Sequence, residues 1–201
     1  RWHELCGFDP IRDHILDAMH LIFGVVKELL YMLVHAMKRV KSLNEFPMDA
    51  VLRKFRASMP SELCHARRFP RSIEEKSICS WSAEEALIWI RLEWRFVFHE
   101  VRQAVDVGDD EGFSLSSSVA TAHGLLERWV LLVIDRRGLQ VEVEVVDAAA
   151  VEYFHYMQTA TVEWKGADKF VYAHGLCTFN NHNVLEVGKC TQDWGNTFES
   201  W

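Results

Sequence analysis

Apolar residues recur three and four positions apart along most of this chain, and this spacing constrains the fold more than any other feature. The clearest run lies between Ile15 and Lys41 and comprises Met19, Ile22, Phe23, Val26, Leu29, Leu30, Leu33 and Met37. Such spacing puts one apolar stripe on a helix. The basic residues Lys38, Arg39 and Lys41 at its end suit the negative end of a helix dipole. We therefore predict a long amphipathic helix here, preceded at most by a short strand at 14–16.

The same spacing, together with capping and stop signals, predicts further helices over residues 48–58, 82–105, 116–134, 143–164 and 182–193. Ser82 and Glu85 have the capping-box pattern, in which each side chain accepts the other residue's backbone N–H. Residues 107–112 combine glycines with acids, which predicts a solvated loop. Residues 139–146 alternate Val and Glu, so a strand is the alternative there. The predicted fold class is mainly α, a helical bundle with at most one or two short strands.

The composition, 49% hydrophobic and 25% charged over 201 residues, is that of a globular protein with one domain or two small ones. It excludes a disordered tail. Five scattered cysteines without a CxxC pair argue against a disulfide framework and predict a reducing, intracellular compartment. The most apolar stretch, residues 15–34, contains Asp17, His20, Lys27 and Glu28. Because such residues are costly inside a bilayer, we predict no membrane span.

Charge is divided along the chain, whose net charge is -7. Residues 53–76 hold seven cations against three acids, whereas residues 139–201 hold nine acids against three cations. The candidate nucleic-acid-binding residues of the basic stretch are Arg53, Lys54, Arg56, Arg67, Arg68 and Arg71. If these cations lie on one face of the protein, they could bind the phosphate backbone of a nucleic acid. The alternative is a solvated loop, or a loop docked on the acidic tail of the same chain.

Two groups of residues have side chains that suit a metal ion. Asp17 and His20, three positions apart, suit a divalent cation or a metal-bound water. The alternative for this pair is a carboxylate at the helix N-terminus and a partly buried histidine. The second group has the ligand types of a zinc site and comprises His174, Cys177, His182 and Cys190. Its spacing matches no standard zinc finger, and the alternative is a buried cysteine among surface histidines.

Three blocks of the chain carry a family resemblance. Residues 8–27, FDPIRDHILDAMHLIFGVVK, are similar to the block FD…DxMHxxxLGxxK. Residues 67–71 (RRFPR) and 80–85 (SWSAEE) are similar to IPR…FTADQW, and residues 180–186 (NNHNVLE) and 193–195 (DWG) to NxHxxLH…DYGP. In this order and spacing they resemble the C-terminal half of the CACTA-type (En/Spm-like) cut-and-paste transposases.

The resemblance implies an RNase H-like core in which three acidic residues bind two divalent metal ions, Mg²⁺ or Mn²⁺. These ions activate water to nick a DNA strand and then activate the freed 3′ hydroxyl for strand transfer. Asp17 would be the second acid and His20 its companion. Residues 1–44 would be a remnant of the core, residues 45–175 a helical insertion, and residues 176–201 a segment returning towards the core.

The chain departs from the family pattern where catalysis depends on it. The first acid is expected upstream of Arg1 and the third just beyond Trp201, and Glu186 replaces the family's second histidine. We therefore expect neither catalysis nor a cofactor for this chain alone. Two functions follow from the sequence. The one we favour is a non-catalytic structural or scaffold subunit that binds other protein chains of a larger assembly. The other is a DNA-binding fragment of a transposase, which would act in the nucleus.

Overall fold

The computed structural model describes residues 18–60, 69–70, 72–73, 78, 80–134, 143–163 and 184–185. Its helices are α1 (Ala18–Met37), α2 (Met48–Ala57), α3 (Ala83–Ile88), α4 (Trp94–Ala104), α5 (Asp110–Ile134) and α6 (Val143–Glu163). A π-helical segment, Trp89–Glu93, joins α3 to α4. Over these ranges there are helices and no strands, which confirms the predicted mainly α fold class. None of the helices described is long and apolar enough to cross a membrane.

The apolar stripes of the helices meet in one core. Helix α1 contacts α3 and α5, α5 contacts α4 and α6, and α2 lies against α4. Trp89, Trp129 and Tyr153 are the largest fully buried side chains. They come from the π-helical segment, α5 and α6, so their burial joins elements that are distant in the sequence. The predicted division at residues 44 and 175 stays a prediction, although α1 shares its core with helices on the far side of residue 44.

The capping box predicted at the start of α3 is confirmed. Ser82 is the N-cap residue, and its side chain accepts a hydrogen bond from the backbone N–H of Glu85 at 3.2 Å. In return, Glu85 Oε2 accepts the backbone N–H of Ser82 at 2.6 Å. Two backbone donors that the helix itself cannot satisfy are thereby paired, which fixes where α3 begins.

We expect Ser82→Ala to destabilise the protein by about 1 kcal/mol, because it removes the acceptor for one of these donors. The free energy of unfolding from urea denaturation, followed by far-ultraviolet circular dichroism, measures this loss. Ser114→Ala, at an exposed position within α5, is the matched control, and it should change the free energy by less than about 0.5 kcal/mol. Equal effects of the two substitutions would contradict the capping role.

Helix α5 begins at Asp110, six residues before the predicted start at Ser116. The prediction of a loop over residues 107–112 is therefore wrong for its second half. Asp109 Oδ1 accepts the backbone N–H of Gly112 at 2.8 Å, and Asp110 and Glu111 lie in the first turn. Carboxylates are stabilising at a helix N-terminus, so the acids that suggested a solvated loop instead start the helix.

The other boundaries lie near the predicted ones. Helix α1 ends at Met37 and is followed by turns through residue 45. Helix α6 includes residues 143–146, so the alternative of a strand is wrong at those positions. The candidate strand at 14–16 lies outside the described residues. So does the candidate helix at 182–193, apart from residues 184–185.

Candidate functional site

The described part of the basic stretch is helix α2 and its surroundings. Arg53 and Lys54 are exposed on this helix, whereas Arg56 is only partly exposed. Lys54 Nζ lies 3.8 Å from Glu100 Oε2 of α4, a long ion pair with the lysine side chain 71% exposed. Such a surface pair contributes little to stability. The other predicted nucleic-acid-binding residues, Arg67, Arg68 and Arg71, lie outside the described residues.

Arg56 makes a two-point ion pair with Glu93 at the end of the π-helical segment. Its Nε donates to Glu93 Oε1 at 2.6 Å and its Nη2 donates to Oε2 at 3.1 Å. The Glu93 side chain is 0% exposed and that of Arg56 is 19% exposed. Parallel bonds of this kind are the strongest that a guanidinium makes to a carboxylate. The contact joins residues 37 positions apart and ties α2 to the π-helical segment, and α2 also packs against α4, which follows that segment.

The surroundings of this pair are apolar. The Arg56 guanidinium lies 5.4 Å from the ring centroid of Phe69, and the rings of Phe55 on α2 and Phe96 on α4 stack with their centroids 4.8 Å apart. Burial raises the pKa of the Glu93 carboxyl above its ordinary value, and the hydrogen bond and charge of Arg56 offset part of that rise. Arg56 thus favours the ionised form of Glu93 against the effect of burial.

A second buried carboxylate, that of Glu127, lies on helix α5. Glu127 Oε2 on α5 accepts a hydrogen bond from Trp94 Nε1 at 3.0 Å and lies 2.9 Å from Arg95 Nη2 in an ion pair. The Glu127 side chain is 5% exposed, but the Arg95 side chain is 66% exposed, so this pair reaches solvent at its cationic end. Glu93 thus ties the π-helical segment to α2, and Glu127 ties α5 to α4, each through specific polar contacts.

Both carboxylates were missed by sequence reasoning, although a signal was present. Glu93 stands three residues after Ile90 and four before Val97, on the apolar stripe of its helix. Burying a charged side chain on such a stripe is costly unless an opposite charge or a hydrogen-bond donor pairs with it. The identity of the partner could not be predicted, because no local spacing relates Arg56 to Glu93.

His123 on α5 is enclosed by aromatic rings. Its ring centroid lies 4.9 Å from that of Phe98, 5.7 Å from that of Trp94 and 6.0 Å from that of Trp89. Nδ1 lies 2.9 Å from the Val119 carbonyl oxygen, which can only accept, so the proton is on Nδ1. Nε2 is buried and has no hydrogen-bond partner among the described residues.

Burial lowers the pKa of His123 to about 4, so the imidazole is neutral near pH 7. The side chain is 0% exposed. A general base must reach the proton that it removes, and His123 has no access to a substrate in this arrangement. The aromatic enclosure is therefore a packing centre where α4 and the π-helical segment meet α5.

An open groove of about 660 Å³ lies beside the end of α1, the following turns and the start of α2. Its apolar lining comprises Val34, Met37, Leu43, Phe46, Pro47, Met48, Ala50 and Ile73. Lys38 and Arg53 line it as well, and so does Asp49. The Asp49 carboxylate accepts hydrogen bonds from Ser72 Oγ at 2.6 Å and from the backbone N–H of Ile73 at 2.8 Å. The groove is therefore lined by apolar side chains and by charges of both signs.

The residues that the structure describes do not test the predicted metal sites. Asp17 lies outside the described residues, and the structure gives the backbone of His20 in α1 but not its side-chain surroundings. All four predicted zinc ligands, His174, Cys177, His182 and Cys190, lie outside the described residues too. Among the residues that are described, no three His, Cys, Asp or Glu side chains are grouped to hold a metal ion. Both metal sites stay predictions.

No family model, curated protein or solved structure matches this chain. The likeness to the CACTA-type transposases therefore rests on the sequence blocks at residues 8–27, 67–71, 80–85, 180–186 and 193–195.

Proposed function

We propose that this chain is a non-catalytic structural subunit of a larger protein assembly, and that the transposase-like blocks record its origin. The partners are other protein chains. The compartment is intracellular and reducing, and it is the nucleus if the chain has kept its ancestral location. The observation that carries the proposal is the Arg56–Glu93 ion pair, because it changes what the basic stretch can do.

A DNA-binding surface needs cations that can turn towards phosphates. Arg56 cannot do so without leaving the fully buried Glu93 carboxylate unpaired. Breaking a buried pair in this way costs several kcal/mol, more than one phosphate contact returns. Arg56 therefore stabilises the packing of the helices through its ion pair with Glu93 and does not bind phosphate.

The neighbouring cations support the same conclusion more weakly. Lys54 points towards Glu100, whose negative charge reduces the attraction of this side chain for phosphate. Arg53 is exposed, and it is a cation that remains suited to an external partner. A scaffold needs a rigid body with a few exposed side chains that can contact partner chains. The buried polar contacts of Glu93 and Glu127 are consistent with that rigidity.

The test is the affinity for double-stranded DNA as a function of salt concentration. We compare the full chain, the double variant Arg53→Glu/Lys54→Glu and the matched control Arg91→Glu, which reverses an exposed cation on the π-helical segment. The proposal predicts weak binding and the same affinity for the double variant and the control. Each phosphate contact adds about one to the slope of log affinity against log salt.

The contrary result is a steep salt dependence that the double variant reduces and the control does not. That outcome would support the alternative function, a DNA-binding fragment of a cut-and-paste transposase. It would also mean that the cations of α2 face the phosphate backbone despite their acidic neighbours.

A further inference from the structure

One carboxylate of α2 holds a segment that comes from the far end of the basic stretch. Asp49 Oδ2 accepts a hydrogen bond from Ser72 Oγ at 2.6 Å, and Asp49 Oδ1 accepts the backbone N–H of Ile73 at 2.8 Å. Ile73 is 1% exposed and belongs to the lining of the groove beside α1 and α2. Two hydrogen bonds that fix the position of Ile73 thus end on the same side chain.

Further contacts seat the same segment on the helices. Trp81 Nε1 donates a hydrogen bond to the Ser72 carbonyl oxygen at 2.9 Å. The ring centroid of Phe69 lies 5.4 Å from the Arg56 guanidinium, and Pro70 is buried. The segment therefore contacts both the first turn and the last turn of α2. We call it the strap, and its members are Phe69, Pro70, Ser72 and Ile73.

The strap is held by side chains rather than by a backbone ladder. Its four residues have no regular secondary structure. The Ile73 N–H and the Ser72 carbonyl bond to the side chains of Asp49 and Trp81. Segments held in this way open locally at a lower free-energy cost than packed helices do. The groove of about 660 Å³ beside Ile73 is open, so the strap has space into which it can move.

We propose that the strap opens and closes as one unit while the helices stay packed, and that Asp49 is the residue that holds it closed. Opening takes Ile73 out of the groove and exposes its apolar side chain. The strap lies inside the basic stretch, directly after Arg67 and Arg68, so its opening frees that part of the stretch from α2 and changes where these cations can reach. The inference goes beyond the proposed function, because a scaffold subunit and a DNA-binding fragment could both use such a release.

Limited digestion of the full chain with trypsin tests the proposal. Trypsin cleaves after arginine, and the bond between Arg71 and Ser72 fits its active site only when Ser72 and Ile73 leave Asp49. Mass spectrometry of the fragments gives the initial rate of cleavage at this bond. We expect this rate to be about tenfold or more above the rate after Arg95 in α4. It should also be nearly independent of urea at low concentration, since a local opening exposes little surface, whereas cleavage after Arg95 requires the helices to unfold and should rise steeply.

Variants at the contact identify the residue that controls the opening. Asp49→Ala removes both acceptors and should raise the initial rate at the bond between Arg71 and Ser72 about tenfold, because hydrogen bonds to a charged group are lost. Ser72→Ala removes one of the two and should give a smaller increase. Glu45→Ala is the matched control, since it removes an exposed acid from the turn before α2, and it should leave the rate unchanged. Circular dichroism and melting curves establish that each variant is folded.

Two results would overturn the proposal. Equal rates for Asp49→Ala and Glu45→Ala would show that Asp49 does not hold the strap closed. Cleavage at the bond between Arg71 and Ser72 that rises with urea as steeply as cleavage after Arg95 would show that the strap opens only when the whole protein unfolds. The comparison in urea uses the original protein, so it decides the question even if Asp49→Ala does not fold. DNA affinity is a separate readout, so failure here is distinguishable from failure of the proposed function.

Discussion

Arg56→Leu should destabilise the protein by about 3 kcal/mol or more near pH 7. The substitution leaves the Glu93 carboxylate, which is 0% exposed, without the guanidinium that pairs with both of its oxygens. The buried group must then remain as an unpaired ion or take up a proton. Urea denaturation measures the free energy of unfolding. Arg53→Leu, an exposed arginine on the same helix, is the matched control and should change it by less than about 0.5 kcal/mol.

The double variant Arg56→Leu/Glu93→Leu distinguishes the cost of an unpaired charge from the cost of changing the packing at these positions. Replacing both partners by apolar groups removes the unpaired charge, so we expect most of the lost stability to return. The penalty of Arg56→Leu alone should also shrink towards acid pH. A raised carboxyl pKa means that the folded state binds more protons than the unfolded state, so stability falls as pH rises through the ordinary value of 4.5. If Arg56→Leu were as stable as the control Arg53→Leu, that result would contradict the structural role of Arg56.

Lowering the pH from about 6.5 to about 4 should remove roughly 3 kcal/mol of stability through His123 alone. Burial lowers the pKa of His123 from 6.5 to about 4 in the folded protein. The unfolded chain therefore binds a proton over this interval while the folded protein does not, and the equilibrium shifts towards unfolding. Below pH 4 both states are protonated, and the loss from this group stops.

His123→Phe isolates this contribution, because phenylalanine keeps an aromatic ring among Trp89, Trp94 and Phe98 and cannot titrate. The difference in unfolding free energy between the original protein and the variant should be constant above pH 7. As the pH falls below 6.5, the original protein should lose stability relative to the variant. Taking a difference cancels the opposite contribution of Glu93. His155→Phe, at an exposed position on α6, is the control and should follow the original profile. A difference that does not change with pH would show that His123 is not enclosed as described.

The parts of the fold that local patterns specify were predictable. The stripe of apolar residues in α1 and the Ser82–Glu85 capping box depend on residues within one or two helical turns, and both are confirmed. The start of α5 was predicted wrongly for a local reason too. Asp109, Asp110 and Glu111 are equally typical of a solvated loop and of a helix N-terminus, and the sequence alone does not distinguish the two.

The candidate site was less predictable, because its main contacts join distant segments. Charge alone makes Arg56 only a candidate for a phosphate surface, and its partner Glu93 lies in the π-helical segment, 37 positions away. Glu93 and His123 stand on apolar stripes, which indicates burial but not what surrounds them. The groove has Lys38 and Arg53 in one lining, although they stand 15 positions apart, a placement that tertiary packing determines.

That this chain is a structural subunit of a protein assembly stays a proposal, and the native mass of the complex that contains it tests the proposal most directly. The complex that contains the chain would be isolated gently from its source, and its mass measured by light scattering with nucleic acid assayed in the same peak. We predict a stoichiometric assembly with other protein chains, larger than a dimer of this chain and free of DNA. A small species that holds DNA and releases it as salt is raised would contradict the account.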